Sequence, residues 1–506
     1  MIENTQFDPV QLHADPMTET HPLIPKHDGT RRAKIVCTLG PASASPEMLS
    51  LLIEAGMDVA RLNFSHGTPA EHLRSLQALR RLSKKRGKHV SVLQDLQGPK
   101  LRTGALEKGT PVEIVQGSEV TITTCSALGN PQLITTDFLE LPSAVSPGCR
   151  ILLSDGLIEL SVESISGCDV RCRVVEGGEL RERQGINLPN IPLKISALTK
   201  KDRRDLGFAI EHNVDYIALS FVRQAADVLE LKRLIKRKGK NIPVVAKLEK
   251  PEALDNLDEI LAVSDAVMVA RGDLGVEMPP ESVPLIQKHI VARANAMRIP
   301  VIIATQLLES MKVQYTPTRA EASDVANAIL EGADALMLSG ETASGKFPAQ
   351  AVRMMSRIIA ATEASSQPQI IPLHAGLAGN HDLSIQEAIC ISAARMADEM
   401  NLAAIALFTQ SGSTARVLSK YHPRAPIYAF APLRDTVNRI GLYWGVEATY
   451  LPSFRTTDLL LEGAAAHLLK LGKIKPGDLI AVLSGTPIGL PGTTNLLKLH
   501  RVEKPS

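Results

Sequence analysis

The chain has 506 residues, of which 44% are hydrophobic and 22% are charged. Its 56 basic and 54 acidic residues leave a formal net charge of +2, so the molecule as a whole does not favour nucleic acid or a membrane surface as a partner. The length suits roughly two to four domains with sizeable cores.

Residues 1–30 are polar and are predicted to form an N-terminal extension, without the apolar stretch of a signal peptide or a membrane span. The six cysteines are scattered, and only Cys168 and Cys172 lie close in sequence without completing a zinc-binding set. We therefore expect reduced thiols in a cytoplasmic protein.

Short apolar segments alternate with amphipathic helical stretches along most of the chain, as in strands that are buried on both faces. Eight such strands are predicted, at 34–39, 59–64, 89–96, 216–222, 243–249, 266–274, 300–306 and 335–341. Eight strand–helix units predict an α/β protein with a (β/α)8 TIM barrel. A doubly wound open sheet is the structural alternative, because strand patterns alone do not show closure.

The barrel pattern is interrupted once and is followed by a further region. The barrel is assigned to residues 31–98 and 194–366, and residues 99–193 are predicted to form an inserted small all-β domain, a β-barrel placed as a lid. Residues 367–506 begin with a Pro- and Gly-containing linker and then alternate strands and helices, which predicts a C-terminal α/β domain that binds an effector.

Polar residues end most of the predicted barrel strands. Because barrel enzymes build their active sites at the carboxyl ends of the strands, this pattern predicts a polar pocket there. Buried Lys247 and Glu249 should pair with each other, a metal ion or a charged ligand. The residues in question are Arg61, Asn63, Ser65, Asp95, Ser220, Lys247, Glu249, Arg271, Asp273, Thr305, Ser339 and Glu341.

The residue types indicate the chemistry. Glu249 and Asp273 are carboxylates from adjacent strands and suit Mg²⁺, which keeps waters and meets substrate oxygens. Arg61, Lys247 and Arg102 suit phosphate or carboxylate groups. Phosphoryl transfer depends mainly on positioning and charge neutralisation, so the residues alone indicate a metal-dependent barrel enzyme acting on a phosphorylated or carboxylate substrate.

Long motifs give a more specific indication. In order, the segments "KIVCTLGPAS", "VARLNFSHG", "DLQGPKLRTG", "ALSFVR", "AKLEKPEAL", "VMVARGDLGVE", "IIATQLLESM" and "PTRAEASDVANAILEGADALMLSGETASGKFP" resemble the signatures of pyruvate kinase. The resemblance runs from about residue 31 to the end of the chain. It implies phosphoryl transfer from phosphoenolpyruvate to ADP, giving pyruvate and ATP in the last step of glycolysis. It also implies a homotetramer.

The resemblance also implies roles for individual residues. Arg61 would hold the transferred phosphoryl group, and Lys247 would stabilise its charge. Glu249 and Asp273 would bind Mg²⁺ or Mn²⁺, and a second divalent ion would arrive with the nucleotide. The amides around Gly272 and Asp273, with Thr305, would receive the substrate carboxylate, next to Ser220 and Lys100. Ser339 and Glu341 match a proposed route of proton delivery to the enolate.

Further matches lie on the nucleotide side of the site. The matching residues are Thr38, Pro41, Asn63, His66 and Arg102, together with Asp155 of the lid. Gln184 departs from the family pattern, since relatives usually carry a lysine that reaches the nucleotide phosphates. Arg183 is a possible substitute for that lysine.

Lys100 is a second departure from the family. Asn63, Ser65, Asp95 and Leu96 match the monovalent-cation position, but potassium-dependent members carry a glutamate where this chain has Lys100. Our hypothesis is that the Lys100 ammonium takes the electrostatic place of K⁺ near Asp95, so that K⁺ is not required. The alternative is a solvated turn lysine and a retained K⁺ site.

The C-terminal domain contains a strand-to-helix turn that suits one phosphate. Its residues are Thr409, Ser411, Gly412, Ser413 and Thr414. An ordinary helix cap is the alternative reading. The loop "SGTPIGLPGTTN" has no Arg or Lys, so we predict activation by a sugar monophosphate or AMP rather than by a bisphosphate.

Two other functions remain open at this point. One is a different phosphoenolpyruvate-using barrel enzyme, a lyase or synthase, which strict ADP dependence of pyruvate formation would exclude. The other is a non-catalytic sensor, against which the presence of Lys247, Glu249 and Asp273 argues.

Overall fold

The computed structural model describes residues 30–189, 191, 195–365, 383–452, 456–487 and 492–503. The predicted N-terminal extension, apart from Thr30, and most of the linker before the C-terminal domain lie outside the described residues.

The first elements belong to the barrel and have well-marked helix starts. They are β1 (Lys34–Leu39), α1 (Pro46–Ala55), β2 (Val59–Asn63), α2 (Pro69–Arg86) and β3 (Ser91–Asp95). The Ser45 hydroxyl accepts a hydrogen bond from the Met48 N–H, and Thr68 with Glu71 forms a capping box. Each cap is followed directly by proline, whose fixed φ suits the first helical turn.

The insert that follows is almost entirely β-structure. Its elements are β4 (Val112–Ile114), β5 (Glu119–Thr123), β6 (Leu133–Thr135), α3 (Leu141–Ala144), β7 (Arg150–Leu153), β8 (Ile158–Ser166), β9 (Asp169–Glu176), β10 (Gly178–Leu180) and β11 (Ile186–Asn187). They form a six-stranded sheet, β11-β7-β8-β9-β5-β6, and a two-stranded sheet, β10-β4, around one apolar core. Among the described residues, the all-β insert is thus built from two sheets around a shared core.

The chain then completes the barrel. The elements are α4 (Lys200–His212), β12 (Tyr216–Leu219), α5 (Ala225–Arg237), β13 (Val244–Leu248), α6 (Pro251–Asp255), α7 (Leu257–Val263), β14 (Ala266–Ala270), α8 (Arg271–Glu277), α9 (Val283–Ala296), β15 (Val301–Ala304), α10 (Arg319–Leu330), β16 (Ala335–Leu338), α11 (Gly340–Ala343) and α12 (Pro348–Ser365). The 3₁₀ turns are Pro280–Ser282 and Glu309–Lys312.

The eight strands close in the order β1-β16-β15-β14-β13-β12-β3-β2, and all neighbours are parallel. The TIM barrel is confirmed, and the open-sheet alternative is wrong. Several strands end earlier than predicted. Phe221, Thr305 and Gln306 have positive φ angles, and α8 begins directly after β14, so the polar residues lie just beyond the strands.

The C-terminal domain is a five-stranded sheet with helices. Its elements are α13 (Ile385–Glu399), β17 (Ala404–Phe408), α14 (Ser413–Ser419), β18 (Ile427–Ala431), α15 (Arg434–Arg439), β19 (Val446–Tyr450), α16 (Thr457–Lys470), β20 (Leu479–Gly485) and β21 (Thr494–Arg501). The order is β19-β18-β17-β20-β21, and only β21 is antiparallel. Inward barrel residues such as Leu93 share one apolar cluster with Leu418 of this domain.

An aspartate precedes every second strand of the barrel, at the end opposite the predicted site. Each carboxylate accepts the N–H of a residue in the neighbouring strand or at its start, at 2.7–2.9 Å, and pairs with a cation. The pairs are Asp58 with Arg31, Asp215 with Arg80, Asp265 with Lys232 and Asp334 with Lys420. This four-fold repeat explains why "MD", "VD", "SD" and "AD" recur before β2, β12, β14 and β16.

The expectation of reduced thiols is wrong for one pair of cysteines. Cys125 and Cys168 form a disulfide at the end of the β5–β9 ladder, where the Thr124 N–H donates to the Cys168 carbonyl at 3.0 Å. The antiparallel pairing brings together two residues that are 43 positions apart in sequence. Cys37, Cys149, Cys172 and Cys390 are free thiols. Within the described part of the chain, no helix is long and apolar enough to cross a membrane.

Candidate active site

Arg61 and Asp95 meet at the carboxyl end of the barrel. The Arg61 Nε donates to Asp95 Oδ2 at 2.8 Å, and its terminal nitrogen lies 2.7 Å from the same oxygen. A second guanidinium nitrogen donates to the Thr38 hydroxyl at 3.0 Å. Both members of the pair are buried, so the guanidinium is fixed by neighbouring strands in the fork geometry that suits phosphate.

Lys247 lies at the centre of this end of the barrel. Its ammonium donates to the Ser220 hydroxyl at 2.8 Å and lies 2.8 Å from Glu249 Oε1 and 3.4 Å from Asp95 Oδ1. The side chains of Asp95, Lys247 and Glu249 are almost fully buried. One lysine therefore bridges two carboxylates from different strands.

These charges shift one another's pKa. Burial alone would lower the pKa of Lys247, but Asp95 and Glu249 outweigh it and raise the pKa well above the usual lysine value. Burial alone would raise the pKa of Asp95, yet Lys247 and Arg61 hold it below its usual value. Both groups are accordingly charged at neutral pH.

Glu249 and Asp273 are the two carboxylates predicted to bind a divalent cation. Burial, followed by the charge of Asp273, raises the pKa of Glu249 despite the opposing effect of Lys247. The Phe221 N–H fixes Glu249 Oε2 at 2.8 Å. Neighbouring carboxylates whose negative charges oppose each other are a donor set that a hard dication would stabilise, so these residues fit Mg²⁺.

A small cradle lies between α8 and the residue after β15. The Gly272 N–H donates to the Thr305 hydroxyl at 2.8 Å, which in turn donates to the Ala304 carbonyl at 2.6 Å. Arg271 holds the Thr305 carbonyl at 2.7 Å and pairs with Asp324 at 2.8 Å. Arg271 thus fixes the positive-φ backbone of Thr305 rather than facing a ligand.

Ser339 and Glu341 follow β16 directly. The Ser339 N–H donates to Glu341 Oε2 at 2.8 Å, and the Leu308 N–H donates to Oε1 at 3.2 Å. Burial raises the pKa of Glu341. The Ser339 hydroxyl is buried without a hydrogen-bond partner among the described residues.

Lys100 lies in a different place from the one that the sequence hypothesis gives it. Its ammonium is 3.8 Å from Asp155 of the insert and 4.0 Å from Asp273, whereas Asp95 pairs with Arg61 and Lys247. The side chain of Lys100 is 27% exposed, so it is not a freely solvated turn residue either. The lysine joins the insert to the carboxylate predicted to bind metal.

The other residues of the predicted monovalent-cation position are used internally. The Asn63 Oδ1 accepts the Ser65 N–H at 3.1 Å, and the Leu96 carbonyl accepts the Ser220 hydroxyl at 2.8 Å. The two carboxylate oxygens of Asp95 contact the two cations of the site, Arg61 and Lys247.

The residues predicted to face the nucleotide differ in their exposure and in their contacts. Arg102, Lys100 and Arg61 lie close enough to His66 to add to the effect of burial in lowering its pKa. Pro41 is exposed, but the Thr38 hydroxyl is buried between Arg61 and the Leu338 carbonyl. Thr38 therefore positions Arg61 in this structure.

The insert residues Arg183 and Gln184 form hydrogen bonds with Arg102 and Thr103. The Arg102 side chain donates to the Arg183 carbonyl at 3.0 Å, and the Gln184 N–H donates to the Thr103 hydroxyl at 2.9 Å. The Arg183 side chain is exposed.

In the turn predicted to bind an effector, several hydroxyl groups form hydrogen bonds within the domain. The Thr409 hydroxyl accepts the Gly412 N–H at 2.9 Å, and the Thr414 hydroxyl lies 2.6 Å from that of Thr494. Gln386 donates to Ser413 and to Thr414, at 3.0 Å in each case. Ser411 is exposed. Part of the facing loop lies outside the described residues.

Sequence reasoning missed a polar contact between the lid and the barrel. Glu277 Oε1 accepts both Asn187 of the insert, at 2.8 Å, and Lys250, at 2.5 Å. Glu277 is the last residue of the motif "GDLGVE", in which it follows two glycines. That charged residue within the motif was the sequence feature that could have indicated this contact. Asn187 and Lys250 line a cleft between the insert and the barrel, and Lys100 and Asp273 line the same cleft.

Comparisons with known proteins agree with this architecture. Residues 30–352 match the family model "Pyruvate kinase, barrel domain", and residues 387–500 match "Pyruvate kinase, alpha/beta domain". The chain belongs to the pyruvate kinase family.

Two curated relatives have high identity to the chain. The pyruvate kinase of Staphylococcus saprophyticus is 46% identical over 476 residues, which cover 93% of this chain and 80% of the relative. The pyruvate kinase of Staphylococcus aureus strain MRSA252 is 44% identical over 475 residues, with the same coverage. The chain is therefore a phosphotransferase of this family.

A solved structure gives the same result. The crystal structure of a pyruvate kinase from Cryptosporidium parvum superimposes with a TM-score of 0.87 and 37% sequence identity. The superposition covers 93% of this chain and 96% of the other chain. The insert and the C-terminal domain therefore belong to the shared fold.

Proposed function

We propose that this enzyme transfers the phosphoryl group of phosphoenolpyruvate to ADP, giving pyruvate and ATP, and that the group is held between Arg61 and Lys247. The central support is the Lys247 ammonium, which Ser220, Glu249 and Asp95 hold at the carboxyl end of a closed barrel. Such a charge is fixed before the substrate arrives, so it needs no reorganisation as negative charge moves.

The phosphoryl group would meet Arg61 first. Asp95 and Thr38 together engage three of the five N–H groups of the guanidinium, which leaves one N–H on each terminal nitrogen available to a phosphoryl oxygen. Lys247 would neutralise charge as the bond to the enolate oxygen breaks and the bond to an ADP oxygen forms. The high pKa of Lys247 keeps the ammonium charged, so it acts by its field rather than as an acid.

Glu249 and Asp273 would hold Mg²⁺, or Mn²⁺ in its place. When bound, the dication would neutralise the carboxylates and polarise substrate oxygens. The Gly272 and Asp273 amides with the Thr305 hydroxyl would orient the substrate carboxylate. The carboxylate would take the place of the hydrogen bond between the Gly272 N–H and the Thr305 hydroxyl.

Ser339 and Glu341 would deliver the proton that converts enolpyruvate to pyruvate. The unpartnered Ser339 hydroxyl is the available donor, and Glu341 holds its backbone in place. Burial raises the pKa of Glu341, but its two oxygens accept the Ser339 and Leu308 N–H groups, so Glu341 would act by positioning Ser339. A solvent proton would replace the one that the Ser339 hydroxyl gives up.

We further propose that the enzyme does not require K⁺. Lys100 supplies a fixed positive charge next to Asp273 and Asp155, on the cleft that the substrate and the nucleotide would share. Activation by a sugar monophosphate or AMP at the turn Thr409–Thr414, a homotetramer and a cytoplasmic location stay predictions that rest on the family and on the sequence.

The test is a lactate dehydrogenase-coupled assay with phosphoenolpyruvate, ADP and Mg²⁺ in a buffer free of K⁺, Na⁺ and ammonium. We expect full turnover without K⁺ and no pyruvate formation without ADP. The matched variant Lys100→Glu should become K⁺-dependent, because it removes the fixed cation. Pyruvate formation without ADP would indicate a lyase or synthase, and strong K⁺ stimulation of the wild type would overturn the role of Lys100.

A further inference from the structure

One ion pair joins the barrel to the C-terminal domain through groups that are withdrawn from solvent. The Lys420 ammonium lies 2.5 Å from Asp334 Oδ2, and each side chain is 1% exposed. Asp334 Oδ2 also accepts the Val301 N–H at 2.7 Å, while Oδ1 is buried without a partner among the described residues. A buried pair of this kind depends strongly on both partners, because either charge alone would lack compensation.

The two residues occupy the ends of short, stiff elements. Lys420 follows α14 directly, and α14 begins at the hydroxyl-rich turn of the C-terminal domain. Asp334 precedes β16, whose four residues lead directly to Ser339 and Glu341. A four-residue strand spans only about 13 Å, so Asp334 and Ser339 lie at the two ends of one short element.

The backbone of Asp334 is also fixed within the barrel. Its N–H donates to the Val301 carbonyl at 3.1 Å, and its carbonyl accepts the Lys34 N–H at 2.8 Å. The carboxylate and the backbone of this residue therefore move together with β16 and its two neighbouring strands.

Asp334 differs from the other three aspartates of the four-fold repeat in the origin of its cation. Asp58, Asp215 and Asp265 pair with cations that precede or lie within the barrel, namely Arg31, Arg80 and Lys232. Among the four pairs that the structure describes, only the one at Asp334 takes its cation from the C-terminal domain. This difference falls on the strand that carries Ser339 and Glu341.

We propose that Lys420 and Asp334 are positioning residues through which the C-terminal domain sets β16, and with it Ser339 and Glu341, for proton delivery to the enolate. The inference rests on the proposed function of Ser339 and Glu341. It assigns to a residue outside the barrel an effect on one half of the reaction, while Arg61 and Lys247 lie on other strands.

The experiment separates the two halves of the reaction. Exchange of pyruvate methyl protons in D₂O, with ATP and Mg²⁺ present, reports proton transfer at the methyl carbon: a C–H bond breaks, the enolate forms and a solvent deuteron is added. The coupled assay gives kcat and the KM for phosphoenolpyruvate. Lys420→Met is compared with Lys232→Met, which removes the cation from Asp265, the carboxylate at the corresponding position before β14. That pair is more exposed, at 32% and 41%, so the double variant Lys420→Met/Asp334→Asn is the control for burial.

We expect Lys420→Met to slow methyl exchange by roughly two- to thirtyfold with the KM for phosphoenolpyruvate unchanged within about twofold. Lys232→Met should leave both unchanged, and Lys420→Arg should restore most of the exchange rate. Glu341→Gln serves as the reference for loss of proton delivery.

The double variant Lys420→Met/Asp334→Asn is measured in parallel, because it leaves no uncompensated buried charge if the single variant does not fold. Exchange at the wild-type rate in a folded Lys420→Met or double variant, with Glu341→Gln impaired, would overturn the positioning role alone. Wild-type exchange in Glu341→Gln and Ser339→Ala would overturn the proton-delivery role and this inference with it. An inactive wild type would overturn the proposed reaction itself.

Discussion

Carboxylates lie at both ends of the eight-stranded barrel, and their partners differ. At the amino ends of the strands, Asp58 and Asp215 each have their own arginine and each accept a backbone N–H of the neighbouring strand. At the carboxyl ends, Asp95 pairs with Arg61 and Lys247, Glu249 shares Lys247, and Asp273 lies 4.0 Å from Lys100, its one ion-pair contact among the described residues.

The difference separates structural charges from charges that are available to a ligand. At the amino ends, each aspartate is neutralised by one cation, and its carboxylate also accepts a backbone N–H from the neighbouring strand. At the carboxyl ends, Glu249 depends on a lysine that it shares with Asp95, and Asp273 depends on a lysine 4.0 Å away. This arrangement leaves electrostatic interactions for a dication and a phosphorylated substrate to complete. Apart from the Lys420–Asp334 pair, substitutions at the two ends should therefore affect different quantities.

The largest expected effect is on activity, at Lys247. Lys247→Met should lower kcat on the order of 10³-fold, or about 4 kcal/mol, because it removes the fixed charge that faces the transferred group. The coupled assay measures the loss, and Lys232→Met at the other end of the barrel is the control. A loss smaller than tenfold would contradict the central role given to this ammonium.

The next effect is on stability, at Asp58. Asp58→Ala should lower the free energy of unfolding by about 3 kcal/mol, because it removes the carboxylate that pairs with the Arg31 guanidinium and accepts the Ile35 N–H. The denaturant midpoint measures this loss, and kcat per folded molecule should stay within twofold of the wild type. Asp58→Asn keeps an acceptor for the Ile35 N–H and should cost less. A reduced kcat with unchanged stability would reverse the comparison between the two ends.

The smallest effect is a pH dependence at the junction below the barrel, where His422 stacks on Trp444 with ring centroids 4.0 Å apart. Burial lowers the pKa of His422 to about 3. The unfolded chain, with a histidine pKa near 6.5, therefore binds a proton that the native state does not, and stability is lost as pH falls below about 6.5.

Between pH 7 and pH 5 this histidine should remove about 2 kcal/mol of stability. Denaturation at the two pH values should show that His422→Phe loses less stability on acidification than the wild type. His289→Phe, at an exposed position, is the control. Equal losses in the wild type and His422→Phe would show that His422 is protonated in the native state.

Much of the barrel and of the candidate site could be predicted from the sequence. The apolar strands and their polar ends predicted the barrel and brought Arg61, Lys247 and Glu249 to one end, because parallel strands in a barrel end on the same side. The long motifs identified the family. The strand ends were less accurate, because positive φ angles at Phe221 and Thr305 stop β12 and β15 early.

Only the tertiary structure decided which groups pair with which. Lys100 contacts Asp155 and Asp273 rather than lying near Asp95, and Cys125 bonds to Cys168 across two strands. The tertiary structure also places Lys420, from the C-terminal domain, in an ion pair with Asp334. A sequence specifies local conformation and the face on which a residue lies, but the partner of a buried charge depends on distances between elements far apart in the chain. Those distances are set when the barrel closes and the domains pack against it.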